Sequence, residues 1–75
     1  MLEVIIATVE RIIFEGKARS IILPGEQGVF EILPFHKPLL SRLISGCLIV
    51  DGKPYPVRRG IAGVSRNTVT VIFEQ

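Results

Sequence analysis

Leu23-Pro24-Gly25-Glu26-Gln27-Gly28-Val29-Phe30-Glu31-Ile32-Leu33-Pro34-Phe35-His36-Lys37-Pro38-Leu39-Leu40 is the stretch on which the reading of the fold turns. It holds three of the five prolines, two of the seven glycines and the only histidine. Pro24 fixes its own φ, and Gly25 and Gly28 are free to take φ > 0, so two sharp turns are expected here. Pro24-Gly25 is expected to stop the strand that precedes it. Val29 to Leu33 reads as a short extended piece that Pro34 closes. So much turn chemistry beside one titratable ring marks either a demanding corner or a functional surface.

Upstream, Leu2 to Ala7 is rich in β-branched residues and reads as a first strand, interrupted by Glu10 and Arg11. Ile12-Ile13-Phe14 resumes it, and Gly16 is expected to permit a bulge or bend. From Lys17 to Leu23, Ala18, Ser20 and Ile22 fall on one face and Lys17, Arg19, Ile21 and Leu23 on the other, an imperfect alternation.

Downstream, Leu39 to Ile44 has helix-like apolar spacing but spans barely two turns between Pro38 and Gly46, so the residues alone do not choose between helix and strand. Gly46 to Val57 is clearer. Asp51-Gly52 between two extended segments predicts a two-residue type I′ hairpin, because both central residues need φ > 0. Pro54 and Pro56 lie two apart, so their missing N–H groups fall on one side of the strand and make it an edge. Gly60 and Gly63 are small where backbone or side chains approach closely. Ser65-Arg66-Asn67 reads as a turn with Asn67 in the left-handed region. Thr68 to Phe73 alternates cleanly, with Val69, Val71 and Phe73 on one face and Thr68, Thr70 and Ile72 on the other. Roughly seven to nine short extended segments separated by turn signals indicate an all-β sandwich or barrel.

The chain has 75 residues, enough for one domain. With 48% hydrophobic residues and a positive mean hydropathy, it carries more apolar side chains than so small an interior accepts. Some must lie on the surface, which suits either ordinary exposure or a partner-binding face. No apolar run approaches the ~20 residues of a membrane helix, and no signal-peptide pattern opens the chain. Cys47 is the single cysteine and is expected to pack as a small hydrophobe in a reducing compartment. A net charge of +2, with no aromatic residues among Arg58, Arg59 and Arg66, argues against nucleic acid as a partner.

Candidate chemistry is sparse. His36 is the only imidazole, and no sequence signal places it beside Cys47 or a serine as a nucleophile's base. One histidine with scattered carboxylates makes no zinc site. Pro24-Gly25-Glu26-Gln27-Gly28 lacks the lysine and helix of a phosphate-binding loop. No cofactor, metal or catalytic role is expected.

The central stretch, with Phe14-Glu15-Gly16 before it and Gly46, Gly60 to Val64 and Asn67 to Val71 after it, resembles the N-terminal domain of the F-type ATP synthase epsilon subunit. The likeness runs through the whole length in one register. Phe35 and Lys37 depart from the glycine and small residue usual around the histidine, Phe30-Glu31 stands where a glycine is common, and Arg59 and Gly63 also differ. The resemblance implies a ten-stranded antiparallel β-sandwich, or flattened barrel, with Leu39 to Ile44 a strand. It implies a non-catalytic rotor subunit of the central stalk that couples proton flow to ATP synthesis. Its partners would be the gamma subunit, through Thr8, His36 and Ser41, and the c ring, through the loop end carrying Gln27, Val29, Phe30 and His36. Phe30 and Phe35 would be the apolar anchors. Location would be the cytoplasmic face of the inner (plasma) membrane, peripheral, with membrane association only through the complex. Most members continue into a helical hairpin. The sequence closes at Phe73-Glu74-Gln75, so a short form is expected, with neither self-inhibition through that hairpin nor ATP binding. A free-standing β-sandwich adaptor with a different partner is the rival reading, favoured by Phe35, Lys37 and Arg59.

Overall fold

The computed structural model describes residues 1–74. They form nine strands: β1 (Leu2–Ala7), β2 (Ile12–Ala18), β3 (Ile21–Gly25), β4 (Gly28–Ile32), β5 (Leu39–Leu43), β6 (Gly46–Val50), β7 (Lys53–Val57), β8 (Arg59–Ser65) and β9 (Thr68–Glu74). Hydrogen bonding runs in the order β2-β1-β9-β8-β5-β3-β6-β7, with β4 on the other side of β3. The expected all-β sandwich is what the chain forms, with nine strands among the described residues where ten were expected. One pairing departs from the antiparallel expectation: β1 and β9 run parallel, Val4 opposite Val69 and Ile6 opposite Val71.

The link between β5 and β3 is a single bridge, Gly25 to Leu43. Glu26 N–H donates to Arg42 O (3.1 Å) and Ile44 N–H to Pro24 O (2.9 Å) beside it. The chain kinks there, between β5 and β6, and passes from one layer to the other. This divides the strands into a five-stranded layer, β2-β1-β9-β8-β5, and a four-stranded layer, β4-β3-β6-β7. At the far side the two layers meet again through the rings of Phe14 on β2 and Tyr55 on β7, centroids 6.4 Å apart.

The period-2 pattern explains what lies between the layers. Leu2, Val4 and Ile6 of β1, Val69, Val71 and Phe73 of β9, and Ala62 and Val64 of β8 point inward from one layer. Ile21, Leu23, Ile32, Leu48, Val50 and Val57 meet them from the other. No polar side chain is buried among the described residues. Leu39 to Leu43 is strand, because five residues without a cap gain more from pairing with β8 over their whole length than from two helical turns.

The turns follow their residues. Asp51 (φ 46°) and Gly52 (φ 86°) make the expected left-handed pair between β6 and β7, and Arg66 (φ 51°) with Asn67 (φ 62°) does the same between β8 and β9. β7 is an edge, as Pro54 and Pro56 require.

Five expectations are corrected. Pro24-Gly25 does not stop β3. It lies within it, opposite Val29 and Gly28, because β6 pairs only with Ile21 and Ile22 and asks nothing of the N–H that Pro24 lacks. Of the two glycines only Gly28 uses positive φ (128°). Gly25 is needed for space: a Cβ there would stand 2.6 Å from Phe30 Cε1 and 2.8 Å from Gly28 O. The β1–β2 bulge falls where Ile6 and Ala7 face Phe14 and Ile12, leaving Ile13 as the extra residue, rather than at Gly16. Cys47 is exposed, since Leu48 and Val50 take the inward positions of β6 and leave Cys47 on the outer face. Lys17 to Leu23 is likewise not one strand; β2 ends at Ala18 and β3 starts at Ile21, so the alternation restarts with Ala18, Ile21 and Leu23 inward.

Candidate functional site

Strand direction sorts every turn to one of two ends. The first end carries the β1–β2 turn (Thr8 to Arg11), the β3–β4 turn (Glu26-Gln27), the β5–β6 kink and the β7–β8 corner at Arg58. The second carries Arg19-Ser20, Leu33 to Pro38, Asp51-Gly52 and Arg66-Asn67. Gln27 and His36 therefore stand at opposite ends of β4, not on one loop end. They are joined along the side. The outer edges of β4 and β5 leave a cleft of about 610 Å³ between the two layers, and Gln27, Val29, Phe30, His36 and Ser41 all line it. Five of the six expected contact residues are thus brought together. Thr8 is not among them.

Each side chain has its own local reason. Thr8 closes the β1–β2 turn: its N–H donates to Arg11 O (2.9 Å), and its Oγ1 accepts from the N–H groups of Glu10 (3.2 Å) and Arg11 (3.3 Å). That hydroxyl serves the turn. Ser41 Oγ donates to Arg42 O (3.1 Å). His36 N–H donates to Leu33 O (3.2 Å), and its ring Nδ1–H donates to Lys37 O (2.8 Å). The second contact requires a proton on Nδ1, because a carbonyl oxygen only accepts. Phe35 N–H donates to Asn67 Oδ1 at 2.6 Å, which clasps the 33–38 loop to the β8–β9 turn.

The two expected anchors differ. Phe30 is half-buried, packed against the core with its ring over Gly25, and so belongs to the fold as much as to any surface. Val29 beside it is 74% exposed. Phe35 is 89% exposed and sits at φ 68°, a region that bulky residues rarely occupy.

A second surface was missed by the residue-by-residue reading. On the outer face of the five-stranded layer Ile61, Ile72, Ala7 and Ile12 follow one another across β8, β9, β1 and β2. Leu40, 77% exposed, lies over Gly63 next to this row, and Val9 and Ile44 border it at the first end. Arg42, Arg58 and the Arg59–Glu74 pair rim it. Arg59 Nε donates to Glu74 Oε2 at 2.7 Å, and that hydrogen bond, then the charge, raises the guanidinium above its ordinary range. The signal available was the surplus of apolar residues, with Leu40, Ile61 and Ile72 at outward positions of three adjacent strands.

Among the described residues no group of three or more His, Cys, Asp or Glu side chains is placed to hold a metal ion. The described residues form a small two-layer β body with an apolar sheet face and an open side cleft. The chain belongs to the family of ATP synthase delta/epsilon chain β-sandwich domains, whose pattern it matches over residues 1–75. It is 39% identical over 74 residues to the ATP synthase epsilon chain of a Nitratiruptor species, covering 92% of this chain and 57% of that protein. It is 35% identical over 77 residues to the epsilon chain of Leptospira borgpetersenii, covering 97% and 61%. The chain therefore spans little more than half the length of these relatives. The fold is shared with a chain of the central stalk and c-ring structure of the Tetrahymena thermophila mitochondrial ATP synthase, at TM-score 0.85 and 17% identity over 99% of this chain and 63% of that one. A chain of the Euglena gracilis mitochondrial enzyme gives TM-score 0.90 at 20% identity, over 99% and 51%.

Proposed function

We propose that the chain serves as the β-sandwich domain of a non-catalytic central-stalk subunit of a proton-translocating F-type ATP synthase, binding the gamma subunit and the c ring. It would sit as a peripheral component on the cytoplasmic face of the inner (plasma) membrane, held there through the complex. The observation that carries this reading is the apolar row of Ile61, Ile72, Ala7 and Ile12 with Leu40, left uncovered on an otherwise well-packed β body. A contiguous exposed apolar face of this kind suits a long-lived interface, and a rigid sandwich transmits torque without absorbing it. Val9 and Leu40, the chain neighbours of Thr8 and Ser41, both belong to that surface, so the gamma contact is assigned to it. The β4–β5 cleft, with Gln27, Val29, Phe30 and His36, is assigned to the ring.

Copurification tests the assignment. Co-expressed with gamma, the wild-type chain should be retained at micromolar concentration, and Ile72→Lys should lose at least tenfold in affinity with its thermal midpoint unchanged. Val29→Asp should leave gamma binding intact and reduce retention on the assembled stalk and ring. Failure of the wild-type chain to bind gamma at micromolar concentration would end the rotor reading.

A further inference from the structure

The second end of the sandwich has a composition unlike the rest of the molecule. Its four turns, with the strand residues that flank them, carry Arg19, Lys37, Lys53 and Arg66 as cations and Asp51 as their only carboxylate. Four less one gives +3 there, against +2 for the whole chain, so the remainder is slightly acidic. Asp51 is moreover occupied: its carboxylate accepts the N–H of Arg19 (3.0 Å) and of Ser20 (3.0 Å). Nearby, Glu3 is paired with Lys17 at 4.0 Å, and Glu31 lies one residue inside β4. All four cations are exposed.

From this charged end projects the most exposed aromatic side chain of the chain. The other three phenylalanines are buried or half-buried; Phe35 is 89% exposed, and Leu33 beside it is 51% exposed. The loop is not slack. Asn67 Oδ1 holds Phe35 N–H, and His36 N–H closes the turn onto Leu33 O. A fixed loop therefore holds a bulky residue in the left-handed region with its ring in water, an arrangement that opposes both backbone preference and the hydrophobic effect.

We propose that this end is a docking surface for an anionic phospholipid membrane, with Phe35 and Leu33 entering the interfacial layer and Arg19, Lys37, Lys53 and Arg66 contacting phosphate headgroups. Charge selects the partner: the end offers four exposed cations and one carboxylate, which is already bonded to the N–H groups of Arg19 and Ser20. Exposed cations sharing one end with an exposed aromatic ring match a soft, negatively charged surface, where aromatic side chains settle at headgroup level and basic side chains reach phosphate. A single aromatic flanked by leucine provides no stacking platform for successive bases, which disfavours nucleic acid. The contact adds a direct foothold to association through the complex and does not depend on the gamma or ring assignments.

Vesicle sedimentation of the 75-residue chain tests it. Vesicles of phosphatidylcholine with about a third phosphatidylglycerol should pellet the protein at low salt, pure phosphatidylcholine should not, and about 0.5 M salt should release it. Phe35→Asn, which suits the left-handed backbone better than the native residue, should lower the partition constant roughly tenfold while the thermal midpoint stays level or rises. Lys37→Ala with Arg66→Ala should lower it about 25-fold, from about fivefold per cation. Ile72→Lys, on the sheet face, should bind as the wild type or more tightly. Equal binding to both vesicle types, no binding to either, undiminished binding of Phe35→Asn, or capture by polyglutamate or an oligonucleotide with none by anionic vesicles would overturn the proposal.

Discussion

The contact between Phe30 and Gly25 allows a quantitative test of whether the ring belongs to the fold or to the surface. Phe30 is half-buried and packs on the core, and its Cε1 occupies the space a Gly25 side chain would need. Full truncation of a buried phenylalanine costs about 3–5 kcal/mol, so half of that, about 2 kcal/mol, is expected for Phe30→Ala. In a domain this small the thermal midpoint should fall by about 8–16 °C. Gly25→Ala places a methyl group 2.6 Å from the ring and 2.8 Å from Gly28 O, an overpacking worth about 1–3 kcal/mol. With Phe30 truncated, the ring no longer obstructs the methyl group and only the carbonyl does, so the second substitution should cost about 1 kcal/mol less than in the wild type. The assay is a double-mutant cycle by urea and thermal unfolding. Additivity within about 0.4 kcal/mol, or a Phe30→Ala cost below about 0.5 kcal/mol, would show that the ring is a free surface anchor and refute the packing argument.

Three further outcomes are expected. Asp51→Gly removes the carboxylate that caps Arg19 and Ser20 while keeping a residue that accepts φ 46°, and should cost about 1 kcal/mol; Asp51→Ala adds left-handed strain and should cost about 2–3 kcal/mol, both read from urea midpoints. Equal costs for the two would refute the division into cap and backbone. Gly60→Ala puts a Cβ 2.7 Å from Phe73 Cβ and against the backbone of Ile72, which cannot yield, so chemical unfolding should show a loss of at least about 2 kcal/mol, and a loss under about 1 would contradict the contact. Cys47 is exposed and should react with a maleimide in the folded protein at the rate of a small thiol; protection lifted only by denaturant would place it inside.

The family was legible because it rests on residue order, and the surfaces were hidden because they rest on which residues share a face. The Pro-Gly-x-x-Gly turn and the Leu-Pro-x-His-x-Pro segment pointed to the family because such turn chemistry acts over a few residues. That Gln27 and His36 stand at opposite ends of β4 could not be read the same way, because separation along a strand depends on where the strand begins and ends. Phe30 and Phe35 look alike as sequence. Only the fold lays one ring on Gly25 and leaves the other in water.

By itself the sequence determined the local steps: alternation in Thr68 to Phe73, the left-handed pair Asp51-Gly52, and the edge imposed by Pro54 and Pro56. Each depends on backbone preferences within a few residues of its cause. Tertiary structure decided the rest: the parallel contact of β1 with β9, the strand state of Leu39 to Leu43, the uncovered apolar row, and the gathering of Arg19, Lys37, Lys53 and Arg66 at one end. Those residues are far apart in the chain. They share an end because successive strand reversals, with the layer-crossing kink after β5, carry three of their turns and the start of β7 to the same side, and no local preference encodes that sum.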